Sequence, residues 1–125
     1  MKFMMLMIPA GYHGNKKLDP NFTPDPKEME KMGKFNDELG KVFKITDLNG
    51  LHPLTEGARV NFTKGKATVT DGPFIETKEV LGGYWMVEAN SKEELVKWAQ
   101  RCPAGPGDVI EIRQIFDPAD FKLKK

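Results

Sequence analysis

An α+β domain on a split βαβ plan is predicted by three features of the chain. Two segments carry helical periodicity, several short segments read as strands, and the order along the chain is strand, helix, strand, hairpin, strand, helix, strand. At 125 residues and 14.1 kDa the chain is the size of one domain, so residues 1–125 are read as a single unit. At this length folding buries roughly two-thirds of the unfolded surface, enough for one core without staples.

The first strand is Lys2 to Ile8, apolar almost throughout as when both faces are covered, and Pro9 ends it. This run is short for a secretory leader, and Pro9-Ala10-Gly11-Tyr12 is a poor cleavage site. A polar loop rich in Gly, Asn and Pro occupies residues 10–24. Asp25-Pro26-Lys27-Glu28 then has the form of a helix start: Asp25 as cap, Pro26 at the first helical position, Glu28 placed to complete a capping box. Met29, Met32, Phe35 and Leu39 make one apolar stripe, and the helix is expected to end between Gly40 and Phe43.

Phe43 to Leu48 reads as a strand closed by Asn49-Gly50. In the hairpin that follows, Ala58, Val60 and Phe62 alternate with polar residues, Lys64-Gly65 offers the turn, and Ala67 and Val69 alternate on the return. Pro73 lacks an amide to donate, so regular pairing is expected to stop near Asp71-Gly72. Gly82 to Ala89 reads as a strand with Trp85 and Val87 on one face, Tyr84 and Met86 on the other. Ser91-Lys92-Glu93-Glu94 is a capping box, Leu95, Trp98, Ala99 and Cys102 share one helical face, and Pro103 stops the helix. Asp108 to Phe116 is the last strand. Two helices on one face of such a sheet leave the other bare, to be covered by the inserted hairpin or, more economically, by a second copy of the chain.

Nineteen basic against eighteen acidic residues leave a formal charge of +1, which gives no electrostatic ground for a nucleic-acid partner. No stretch approaches the length needed to span a bilayer, so no membrane partner is expected. One cysteine cannot form an intramolecular disulfide, and the chain is read as cytoplasmic.

Asp71-Gly72-Pro73-Phe74-Ile75-Glu76-Thr77-Lys78-Glu79, followed by Leu81-Gly82-Gly83-Tyr84, closely resembles the signature of the DGPF branch of the YCII-related family. Trp98-Ala99-Gln100-Arg101-Cys102-Pro103 and Val109-Ile110-Glu111-Ile112-Arg113 are similar to further stretches of that family, as are the Met-rich first strand, the Met-containing first helix and Gly50-Leu51-x-Pro53. The resemblance implies a dimeric α+β barrel with ferredoxin-like protomers. For activity it implies an Asp and a His facing a cavity in some branches, and for setting a link of some relatives to alternative sigma factors. Two positions depart from the pattern: Val42-Phe43 stands where many relatives have a glycine, and Asn49 where many have an acidic residue.

Asp71 has two readings. At a strand end beside a glycine its carboxylate could serve as general acid or base, and before Gly-Pro it could equally build a turn. His13, in the loop after the first strand, and His52, after Gly50-Leu51, are the only histidines and the candidate partners of Asp71, with His13 favoured as part of a lid. Solvated or packing roles are the alternative for each. Cys102, on an apolar helix face, reads as inert, and the two histidines lack metal-ligand spacing. Arg59, Arg101 and Arg113 are candidate carboxylate binders, and Glu76, Lys78 and Glu79 are solvated or line a pocket. Phosphate-loop spacings are absent and no cofactor is expected. Two functional readings follow: a small cofactor-independent enzyme isomerising or eliminating on a small organic molecule in the barrel cavity, or a dimeric ligand-binding or regulatory accessory module without catalysis.

Overall fold

The structure, a computed structural model, describes residues 1–10, 25–71 and 80–121. The elements are β1 (Lys2–Ile8), α1 (Pro26–Val42), β2 (Lys44–Gly50), β3 (Ala58–Thr63), β4 (Lys66–Asp71), β5 (Gly83–Glu88), α2 (Lys92–Ala99) and β6 (Val109–Gln114), with short 3₁₀ turns at Leu54–Glu56 and Pro118–Asp120. Four strands form one sheet in the order β2-β5-β1-β6, every neighbouring pair antiparallel. Strand β5 separates β1 from β2, and β1 separates β5 from β6, so both strand–helix–strand units are split in the ferredoxin-like manner.

Alternation along the central strands decides what is buried. Phe3 and Met5 of β1 and Trp85 and Val87 of β5 face the helices and are buried, joined by Phe35 and Leu39 of α1, Phe43, Ala89, and Leu95 of α2. Trp85 sits edge-on to Phe35, ring centroids 6.2 Å apart, and its indole N–H donates to Asn36 Oδ1 at 2.7 Å, so the buried polar edge is satisfied. Phe43 and Trp98 make a second edge-on pair at 6.4 Å beside α2. On the opposite face of β1, Met4, Leu6 and Ile8 are only half-buried, so among the described residues this strand is fully covered on one face and not on both.

Local signals account for the helix ends. Asp25 accepts from the Lys27 amide at 2.9 Å, and Phe43 ends α1 in extended conformation. Glu28 does not complete the capping box; its carboxylate lies 3.6 Å from Lys31 on the exposed helix surface. Met29, in the first turn, is exposed, and the apolar stripe enters the core only from Met32 onward. Ser91 accepts from the Glu94 amide at 3.2 Å, and regular helix α2 stops at Ala99, with the Cys102 amide still bonded to the Ala99 carbonyl.

Strand β2 carries the one irregularity of the sheet. Its register against β5 shifts between Ile45 and Asp47, and the Thr46 hydroxyl donates to the Met86 carbonyl at the bulge. Asp47 thereby stands opposite Met86, and Asn49 opposite Tyr84, on the face away from the helices. Next to this, the Gly83 backbone approaches so closely that a Cβ there would lie 2.9 Å from the Asn49 carbonyl oxygen, a position no other residue could fill unchanged.

Strands β3 and β4 form a separate two-stranded sheet, turned at Lys64 and Gly65, both with positive φ. All of its residues are exposed, Phe62 at 81%, so the hairpin does not cover the bare face of the main sheet. Among the described residues no helix is long and apolar enough to cross a membrane. Burial separates two substitutions: Leu39→Ala, at a fully enclosed site, is expected to cost about 2–5 kcal/mol in urea unfolding. Phe62→Ala is expected to change protomer stability by no more than about 0.5 kcal/mol.

Candidate functional site

The segment joining β2 to β3 builds an open cleft. Gly50 ends β2, the Leu51 amide donates to the Gly82 carbonyl at 2.9 Å, and Pro53 introduces the turn Leu54–Glu56. That turn closes with the Gly57 amide on the Leu54 carbonyl at 2.9 Å. The cleft holds about 530 Å³, with Leu51, Leu54, Val80 and Leu81 supplying apolar wall and His52, Glu56 and Arg59 the charged groups. Val80 is buried and the ionic side chains are exposed.

His52 is therefore at a cavity, and its carboxylate partner is Glu56. Imidazole Nδ1 lies 3.3 Å from Glu56 Oε2, four residues on across the short turn. A carboxylate on Nδ1 favours the tautomer with the proton on that nitrogen, which leaves Nε2 as the basic atom. The pair is too exposed to add much stability; its value is in orienting the ring.

Asp71 is placed elsewhere. It ends β4 opposite Ala58, one residue from the Arg59–Thr70 pair, so its side chain projects from the hairpin face opposite Arg59. It does not line the cleft, and no hydrogen bond joins it to His52. His13 and the stretch with Glu76, Lys78 and Glu79 lie outside the described residues. Of the three arginines, Arg59 lines the cleft, Arg101 lies 4.2 Å over the Trp98 ring, and Arg113 pairs with Glu111 at 3.5 Å. The sequence reading paired His52 with Asp71 and passed over Glu56, whose one signal is the spacing His52-x-x-x-Glu56 after a proline-initiated turn.

A family model for the YCII-related domain matches residues 1–119. The chain belongs to the YCII-related family. It is also 29% identical over 76 residues to the uncharacterized protein R00369 of Rhizobium meliloti (strain 1021). That match covers 61% of this chain and 61% of the relative, so it spans less than two thirds of the relative's length. Neither likeness names a reaction. The DGPF signature begins at Asp71, and the paired glycines that follow it act structurally: the Gly82 amide donates to the Met7 carbonyl at 2.8 Å and Gly83 admits the Asn49 backbone.

Cys102 is half-buried beside the loop into β6, and burial followed by the nearby Asp108 carboxylate pushes its thiol up to about 11. Asp108 itself is fixed there by the Ala10 and Gly105 amides, each at 2.8 Å. The thiolate, the reactive form, is thus scarce near neutrality. Iodoacetamide is expected to label Cys102 in the folded chain at least about tenfold more slowly than in the unfolded chain at mildly alkaline pH. The rate should climb as the pH approaches 11.

Proposed function

We propose that this YCII-related protein is a small cofactor-independent enzyme that moves a proton on a small organic anion bound in the cleft between β2 and β3. The observation that supports this reading is the His52–Glu56 pair, 3.3 Å apart, at the wall of a cleft that also holds Arg59. Glu56 holds the Nδ1 proton, Nε2 takes the proton from a carbon acid, and Arg59 grips the carboxylate of the substrate and favours the charge that develops. Return of the proton to a neighbouring carbon completes an isomerisation; loss of a leaving group completes an elimination. Asp71, with His13 as its partner, is the other candidate for the acid–base step.

In the same reading two copies pair through the bare faces of their sheets, as a dimeric α+β barrel, in the cytoplasm. Half-buried Met4, Leu6, Ile8 and Met86 form an apolar strip on that face. A strip of this kind is rarely left to water. Light scattering is expected to return twice the 14.1 kDa chain mass, and Leu6→Glu, which places a charge in the strip, is expected to return the single-chain mass.

The chemistry is tested by incubating a panel of small keto acids, lactones and unsaturated carboxylates with the protein in D₂O and following deuterium uptake by NMR. Exchange in at least one compound is expected, reduced roughly 10²–10⁴-fold in His52→Gln. If exchange survives in His52→Gln and disappears in Asp71→Asn, Asp71 carries the step. If no compound exchanges while several bind, the module reading, a ligand-binding or sigma-factor-linked accessory, replaces the enzyme.

A further inference from the structure

At the edge of the sheet opposite the cleft, an open groove runs between helix α2 and strand β6. Strands β5 and β6 are both antiparallel to β1, so the helix that joins them runs back against β6. Lys92 therefore lies toward the end of that strand and Cys102 toward its start. The groove holds about 610 Å³, inside the range of about 300–1,000 Å³ common for small-molecule sites. From Lys92 to Cys102 the helix flank runs for about 15 Å. Ile110 and Ile112 stand opposite Met7 and Met5 in register, which puts the groove on the helix side of the sheet.

The middle of the groove is apolar. Val96 is 38% exposed, and Ala99, Ile110 and Ile112 are half-buried, so the core does not close over them. Cys102 extends this surface, because its thiol stays protonated near neutrality and packs as a small apolar group. Charge is confined to the two ends. At one end the Asp108 carboxylate is committed to structure, accepting from the Ala10 and Gly105 amides at 2.8 Å each. At the other, Lys92 is exposed, and among the described residues no carboxylate lies within ion-pair distance of it. Gln100 donates its side-chain amide to the Val96 carbonyl at 3.3 Å and so serves its own helix. The groove thus combines an apolar length with an open ammonium at one end and a fixed carboxylate at the other.

We infer that the groove between α2 and β6 binds a linear amphipathic carboxylate, its head at Lys92 and its alkyl chain along Val96, Ile112 and Ile110 toward Cys102. Burial of the chain supplies the affinity, and the charges at the two ends set sign and direction. A carboxylate head is attracted by Lys92 and repelled by Asp108. A cationic head is repelled at Lys92, and at Asp108 it meets a carboxylate whose two oxygens are already held by amides. The groove lies on the helix side, away from the sheet face that pairs two copies, and is separate from the cleft. The inference rests neither on the dimer nor on the acid–base reading of His52.

The full chain, ¹³C-labelled at the isoleucine δ1 methyls, is titrated by NMR with octanoate below the concentration at which it self-associates. Octylammonium and octan-1-ol, with alkyl chains of the same length, serve as the cationic and neutral comparisons. Saturable shifts of Ile110 and Ile112 with octanoate are expected, while Ile45, on the opposite edge strand β2, stays in place. Octylammonium and octanol are expected to bind more weakly, and Lys92→Gln, at an exposed position, to weaken octanoate by about threefold. Octylammonium binding as tightly as octanoate overturns the inference, as do octanoate shifts that never saturate or that reach Ile45 equally. Unchanged octanoate affinity in a folded Lys92→Gln overturns it too. The comparison of the three probes needs only the unsubstituted chain, so failure of the variant to fold does not remove the test.

Discussion

Everything in this protein depends on the division of one four-stranded sheet into a covered and an uncovered face. Trp85 enforces it. Its ring is wedged edge-on against Phe35, and its N–H has a single partner, Asn36, on helix α1. Turning β5 over would expose the indole and bury Tyr84, Met86 and Glu88 against the helices, with a charge among them. Once β5 is fixed, β1 follows through the Met5–Trp85 and Phe3–Val87 pairs, and β6 follows β1 through Met5–Ile112.

The covered face was readable from the amino-acid order because it is a matter of period. Alternation in β1 and β5 and the Phe35–Leu39 and Leu95–Trp98 spacings carry the information locally. Caps at Asp25 and Ser91 and the Lys64-Gly65 turn are local too. The reading failed where neighbouring groups compete for one partner, or where cover has to come from outside the strand itself. Glu28 had the right position for a capping box, but the Asp25 carboxylate is occupied by the Lys27 amide and Glu28 turns to Lys31. Strand β1 looked apolar enough for cover on both sides, yet the chain supplies helices for only one.

The candidate site was legible to a smaller degree, for the same physical reason. His52 was singled out by its chemistry, but its neighbour Glu56 was passed over, although the two are joined by a single local turn. Asp47 and Tyr84 are 37 residues apart, and their meeting depends on a bulge that no periodicity announces. Strict alternation assigns Asp47 to the core face, where an unpaired carboxylate would be costly. The register shift resolves that conflict by re-aiming the strand. A bulge here is consistent with the rule that such irregularities in a sheet are retained where they place a side chain. Asn49 fits the same scheme: a second carboxylate there would repel Asp47, whereas the amide supplies two protons, to Asp47 and to the Tyr84 hydroxyl.

The cleft hangs from the end of β2, and the Gly82-Gly83 pair ties it to the sheet. Gly83 lets the Asn49 backbone approach to a distance that a Cβ would forbid, and the Gly82 carbonyl takes the Leu51 amide that starts the cleft segment. With a net charge of +1 the chain as a whole exerts little long-range pull on either sign of ligand. Selection must then be local. The cleft offers Arg59 and the acceptor-or-donor imidazole of His52, a combination suited to an anion.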